Sequence, residues 1–188
     1  MSAVLQSKMT LQVYLDWEND QEERHEYWAG EVFAMTGGRR VHGSVVTNLV
    51  RHLSNALDGS PCRVFSENMK LQIGADKIVY PDVFVTCDKA DLATDRIFRA
   101  PILVIEVLSP STQAYDRSRK FAAYRRIPSL KEYMLIDPET HRSEAFRPGA
   151  DGLWTLHDQS ESDALEFASI DCTVPMAHVW AGVDPATA

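Results

Sequence analysis

Two acidic residues stand in apolar surroundings where an acid is costly. The stretch "ILVIEVLSPST" (102–112) places Glu106 inside a run that otherwise reads as a buried β-strand. An ionised acid taken out of water costs several kcal/mol unless something pairs with it. A counterpart, Asp82, lies in "VYPDVFV", beside a proline that cannot donate to a strand ladder. The two are 106 − 82 = 24 residues apart, and "DKADLATDRIFRAP" between them is long enough to return the chain to an adjacent strand. On neighbouring strands the two carboxylates can lie side by side, which persists only if they share a proton or bind a cation. A hard divalent ion such as Mg²⁺ suits such a pair, because one or two carboxylates plus water are enough to hold it. For either acid alone, a solvent-facing or ion-paired position is the commoner reading.

A third feature is basic. In "DRSRKFAAYRR" (116–126) five of eleven residues carry positive charge: Arg117, Arg119, Lys120, Arg125 and Arg126. At helical spacing Asp116, Lys120 and Tyr124 share one face, i, i+4, i+8. Two readings stay open. One is a solvated helix with an Asp116–Lys120 pair; the other sets Lys120 over the carboxylates and the arginines where phosphates would lie.

These residues need elements to position them. "MTLQVYLDWE" (9–18) has helical spacing, and "ERHEYWAGEVFAM" alternates around Ala29-Gly30 as a hairpin. "VHGSVVTNLVRHLSNALDG" (41–59) reads as a helix with Val45, Leu49, His52, Leu53 and Leu57 on its apolar stripe. Two strand patterns flank the turn 74–77, and the Glu106 strand is followed by a helix from about Thr112 to the residues before Pro128. "EYMLIDP" is a further strand, "RSEAFRPGADGLWTL" a surface hairpin, and Pro175 to Val183 holds one short helix. This order predicts an α/β or α+β fold with a mixed sheet and helices on its faces.

Composition narrows the classes. A chain of 188 residues with 45% apolar and 24% charged residues fits one globular domain over 1–188. No apolar run approaches the roughly 18 residues that span a bilayer, so no membrane is expected, and no signal pattern opens the chain. Cys62, Cys87 and Cys172 lie far apart, which argues against a disulfide framework or a zinc site and fits a reducing cytoplasm. The net charge of −8 counts globally against nucleic acid, although the basic stretch at 116–126 is a local exception.

Together "YPDVFV", "LVIEVLSPST", "DRSRKFAAY", "EYMLIDP", "GEVFAM" and "HGSVVTNL" resemble the Uma-two family of putative restriction endonucleases, within the PD-(D/E)XK nuclease superfamily. The resemblance covers roughly residues 10 to 180. It implies a restriction-endonuclease-like mixed sheet of four or five strands flanked by helices, a catalytic core at about 22–138, and Mg²⁺-dependent (or Mn²⁺-dependent) hydrolysis of DNA. It makes Asp82 and Glu106 the two motif acids, with the Val107 carbonyl as a further metal ligand. The motif lysine is missing, because Leu108 stands two residues after Glu106. The resemblance implies a relocated lysine, Lys120 with Asp116, while hairpin pairing makes Lys70 a second candidate. Glu31 and His42 are possible accessories, and Arg39 and Arg40 could meet a phosphate backbone. DNA is the expected partner and a homodimer suits cutting two strands. The alternative from another class is a catalytically silent nuclease-fold module that binds DNA or a protein partner.

Overall fold

The computed structural model describes residues 8–35 and 37–183, so both ends of the expected 1–188 domain lie outside the described residues. Helix α1 (Leu11–Glu18) begins at Thr10, whose hydroxyl accepts a hydrogen bond from the Val13 N–H. The hairpin β1 (His25–Trp28) and β2 (Glu31–Ala34) turns at Ala29-Gly30, both at positive φ, as a two-residue hairpin turn of this type requires. Helix α2 (Arg40–Ala56) leads to β3 (Arg63–Ser66), β4 (Lys70–Ile73), β5 (Lys77–Val79) and β6 (Val83–Thr86). A short α3 (Lys89–Ala93) and β7 (Ile97–Phe98) precede β8 (Pro101–Val107). One helical segment then runs through α4 (Gln113–Tyr115), a π-helical turn (Asp116–Lys120) and α5 (Phe121–Tyr124). Strands β9 (Glu132–Asp137), β10 (Arg142–Pro148), β11 (Trp154–Asp158), β12 (Ala164–Phe167) and β13 (Cys172–Pro175), then α6 (Met176–Val179), complete the order.

The architecture is mixed α/β. A six-stranded sheet runs β11-β10-β9-β8-β6-β3, a five-stranded sheet runs β2-β1-β5-β4-β7, and β12 pairs with β13. The resemblance pointed to a single sheet of four or five strands; the second sheet and the β12–β13 ribbon exceed that expectation. Strand β8 is interior, antiparallel to β6 and parallel to β9, which is why its sequence is apolar almost throughout. A parallel pair needs a crossover, and the α4–α5 segment supplies it. One face of the six-stranded sheet packs against α2, where Val45, Leu49 and Leu53 meet Leu103, Ile105 and Val107. Its other face packs against the five-stranded sheet, where Phe84, Val104 and Leu135 meet Trp28, Leu71 and Val79.

Two expectations need correction. Asp82 is not within a strand: β5 ends at Val79 and β6 starts at Val83, and Tyr80 to Asp82 form the kink between two sheets. Pro81 explains the break, since it has no N–H for a ladder. Cys62 and Cys87 are joined by a disulfide, although their spacing gave no hint of one. The antiparallel pairing of β3 with β6, with Arg63 opposite Thr86, brings Cys62, just before β3, against Cys87, just after β6. Cys172 is free.

Candidate active site

Alternation along β8 sends Leu103, Ile105 and Val107 toward α2, and Val104 and Leu108 toward the five-stranded sheet. Glu106, between the latter two, therefore points to the second face. There it is only 2% exposed. Its Oε1 accepts a hydrogen bond from the Tyr124 hydroxyl (2.7 Å) and lies 3.1 Å from Lys120 Nζ. Lys120 also pairs with Glu26 on β1 (3.0 Å) and Asp116 (3.6 Å). The Tyr115 hydroxyl fixes the other oxygen of Glu26 (3.1 Å), so both ends of that carboxylate are held. The π turn shapes this cluster. Its wider coil, closed by the Phe121 N–H on the Asp116 carbonyl, still keeps Asp116, Lys120 and Tyr124 on the Glu106 side, and Tyr133 donates to the same carbonyl (3.0 Å).

Asp82 reaches the site from the Pro81 kink. Its Oδ2 accepts the Val107 N–H (2.7 Å) and lies 3.2 Å from His42 Nε2 at the start of α2. The Leu108 N–H turns the opposite way, to the Ile136 carbonyl on β9, so the Val107 carbonyl leaves its strand on the Asp82 side. Glu67 donates its N–H to the Pro81 and Asp82 carbonyls (3.1 and 3.3 Å) while its backbone sits at φ 38°. Ligand atoms of His42, Glu67 and Asp82 all fall within 4.8 Å of one another. Among the described residues, Asp82 Oδ1 and Glu106 Oε2 accept no hydrogen bond.

The carboxylates, Lys120, His42 and Val107 border one cleft of about 330 Å³. Five carboxylates line it (Glu26, Glu67, Asp82, Glu106, Asp116) against Arg39, Lys120 and His42. Burial shifts two of these acids, Glu106 and Asp116. Burial pushes Glu106 well above the usual carboxylate range; Lys120 and Tyr124 oppose the shift, while Asp82 and Asp116 add to it. Asp116 is raised by burial in the same way, against the pull of Lys120. Burial alone would lower Lys120, but Glu106, Glu26 and Asp116 outweigh it and hold the ammonium well above its ordinary range. His42 follows the same pattern: burial lowers it, and Asp82 with Glu67 more than restores it, to a net rise.

The cleft gathers Asp82, Glu106, Val107, His42, Asp116, Lys120 and Arg39, and leaves Glu31, Lys70, Arg40 and the arginines of 116–126 outside. Glu31 is exposed at the start of β2, opposite Trp28, and the hairpin acid that enters is Glu26, opposite Phe33. Lys70 lies over the Tyr80 ring at 5.9 Å, and among the described residues it has no carboxylate partner. The helix face that carries Asp116 and Lys120 inward turns the arginines outward. Arg117 pairs with Glu144, Arg119 stacks on Trp28 (4.8 Å) and Arg125 on Phe121 (4.8 Å), while Arg126 is exposed. Arg39 borders the cleft and pairs with Glu139, and Arg40 donates to the Gly182 carbonyl. Sequence reasoning missed Glu26, Glu67 and Tyr115. Glu26 had a readable signal, an acid alternating into a strand like Glu106; Glu67, after β3, had none.

An acid on β8, a second on the kink into its neighbour β6, and a lysine from the crossover segment thus meet in one cleft. A crystal structure from Anabaena variabilis, described as a putative nuclease belonging to DUF820, superposes with a TM-score of 0.76 over 93% of this chain and 99% of that one. At 19% identity this likeness concerns the fold. The chain belongs to the Uma2 family, described as "Putative restriction endonuclease", whose model matches residues 11–174. Two Synechocystis sp. proteins are similar to it along nearly their whole length. Uncharacterized protein slr1290 is 36% identical over 94% of this chain and 93% of its own. Uncharacterized protein sll1609 is 33% identical over 85% and 93%.

Proposed function

We propose that this protein is a metal-dependent endonuclease that hydrolyses DNA phosphodiester bonds at the Asp82–Glu106–Lys120 cleft. The observation that carries this reading is the pair of carboxylate oxygens, Asp82 Oδ1 and Glu106 Oε2, left without partners in a cleft with surplus negative charge. Family membership supports it. The donor set fits a hard dication, with Asp82, Glu106 and the Val107 carbonyl supplying oxygen ligands for Mg²⁺ or Mn²⁺. Such an ion would polarise the phosphate and lower the pKa of a bound water.

The chain's own residues do the rest. The Val107 N–H anchors Asp82, and Tyr124 with Lys120 anchors Glu106, so both acids are oriented before substrate arrives. Lys120 keeps its proton, so its task is to offset negative charge gathering on the phosphate rather than to take a proton from water. Glu26 and Asp116 act through Lys120 as positioning residues. In this reading Arg39, which lines the cleft, and the outward arginines of 116–126 would contact backbone phosphates. One observation favours the second reading: the Lys120 ammonium is already shared among three carboxylates, as a silent DNA- or protein-binding module would retain it. Incubating purified protein with supercoiled plasmid separates the two. Nicking with Mg²⁺ or Mn²⁺ that stops with chelator supports the enzyme, and plasmid bound but uncut with either ion supports the silent module.

A further inference from the structure

The carboxylates of the cleft are unevenly supplied with cations. Lys120 serves Glu26, Glu106 and Asp116. On the opposite side, Glu67 and Asp82 face only the imidazole of His42, and among the described residues neither has a lysine or arginine partner. Three separate parts of the chain converge there: the first turn of α2, the residue after β3, and the kink before β6. Gly38 lies against Nδ1 of His42, where a Cβ would stand at 3.2 Å, and Nε2 is the nitrogen that faces Asp82. Glu67 holds a left-handed backbone, rare for a residue with a side chain, and its N–H grips the two carbonyls beside Asp82.

We infer that the cation site of the cleft extends to His42 Nε2 and the Glu67 carboxylate, and that this imidazole-bearing position takes a first-row transition-metal dication in preference to Mg²⁺. The inference rests on reading Asp82 as a metal ligand, as in the proposed function, and adds two ligands to it. The chemistry follows from the donor type. Mg²⁺ binds oxygen and parts reluctantly with water, whereas an imidazole nitrogen contributes strongly to Co²⁺, Ni²⁺ or Zn²⁺. Asp82 can serve both sides, because Oδ2 is turned to His42 and Oδ1 is left over.

Calorimetric titration with CoCl₂ and with MgCl₂, without DNA, tests this on the intact chain. The visible absorption of bound Co²⁺ provides a second readout sensitive to a nitrogen ligand. His42→Ala and Glu67→Gln should each weaken Co²⁺ binding tenfold or more while changing Mg²⁺ binding less than threefold, and His42→Ala should also shift the absorption band. Glu67 is exposed, so Glu67→Gln carries the test even if His42→Ala folds poorly. Co²⁺ affinity within twofold of wild type in both variants overturns the inference. If Glu106→Gln alone abolishes binding, the ligand set of the proposed nuclease stands and this extension falls; if no variant and no wild type binds either ion, both fall.

Discussion

Replacing Lys120 with Met would leave Glu26, Glu106 and Asp116 facing one another below the surface. Breaking a buried ion pair by removing one partner costs about 3–5 kcal/mol, so Lys120→Met should lower the melting temperature well beyond what a surface lysine would. In the nuclease reading it should also cut turnover by ~10²-fold or more, because the lost charge offsets the transition state. Lys120→Arg keeps the charge, but a planar fork does not fit a point cation wedged among three acids, so it should restore little of either. Urea melts and single-turnover cleavage check the pair. Glu106 carries a pH signature. With its folded value raised above the ordinary 4.5, the folded chain holds the proton more tightly than the unfolded one. Its contribution to stability is therefore greatest in mild acid and falls as pH rises through and above 4.5. In metal-free protein, Glu106→Gln should gain on wild type as pH rises above 4.5. A constant gap across that range would mean Glu106 is not under this strain.

At the scale of elements, the crossover segment decides which charges face inward. Arg117, Arg119, Arg125 and Arg126 sit outside the cleft, so any role on DNA is to track its backbone. In an Asp82→Asn background, which prevents cutting, Arg126→Ala should weaken binding to all sequences alike and reduce the salt slope by about one. An unchanged slope for all four arginines would place DNA elsewhere. The elements around the site were largely legible. The α2 stripe, the Ala29-Gly30 hairpin, the β8 run and the crossover helix all follow from periodicity and turn chemistry. The facing of Asp116, Lys120 and Tyr124 was legible too, although the π turn was not, since nothing local distinguishes it from an α-helix. What stayed hidden depended on pairing between distant strands. Cys62 meets Cys87 only because β3 lies beside β6, and Glu67 meets Asp82 for the same reason. Glu26 needed the five-stranded sheet to fold over the six-stranded one.

Taken whole, the molecule is acidic, with a net charge of −8, and its cleft shares that sign. In the nuclease reading, a negatively charged substrate would need a neutralising dication there, which links metal to stability as well as to chemistry. Millimolar Mg²⁺ or Mn²⁺ should raise the melting temperature of wild type, because it binds the folded site alone. Asp82→Asn should raise metal-free stability and erase that effect; equal melting curves with and without metal would count against any cation here. The disulfide is a separate contribution. It closes a loop with a sequence separation of 25, for which chain entropy gives about 3.5 kcal/mol, so Cys62→Ser should destabilise by that order. Thiol titration of unreduced, denatured protein should find Cys172 alone reactive. The most direct test of the central claim is plasmid cleavage by wild type, Asp82→Asn and Glu106→Gln, each verified as folded, with Mn²⁺ or Mg²⁺ present. Nicking by wild type that falls by ~10²-fold or more in both variants is the result this site predicts. Nicking at the wild-type rate by either variant would contradict it.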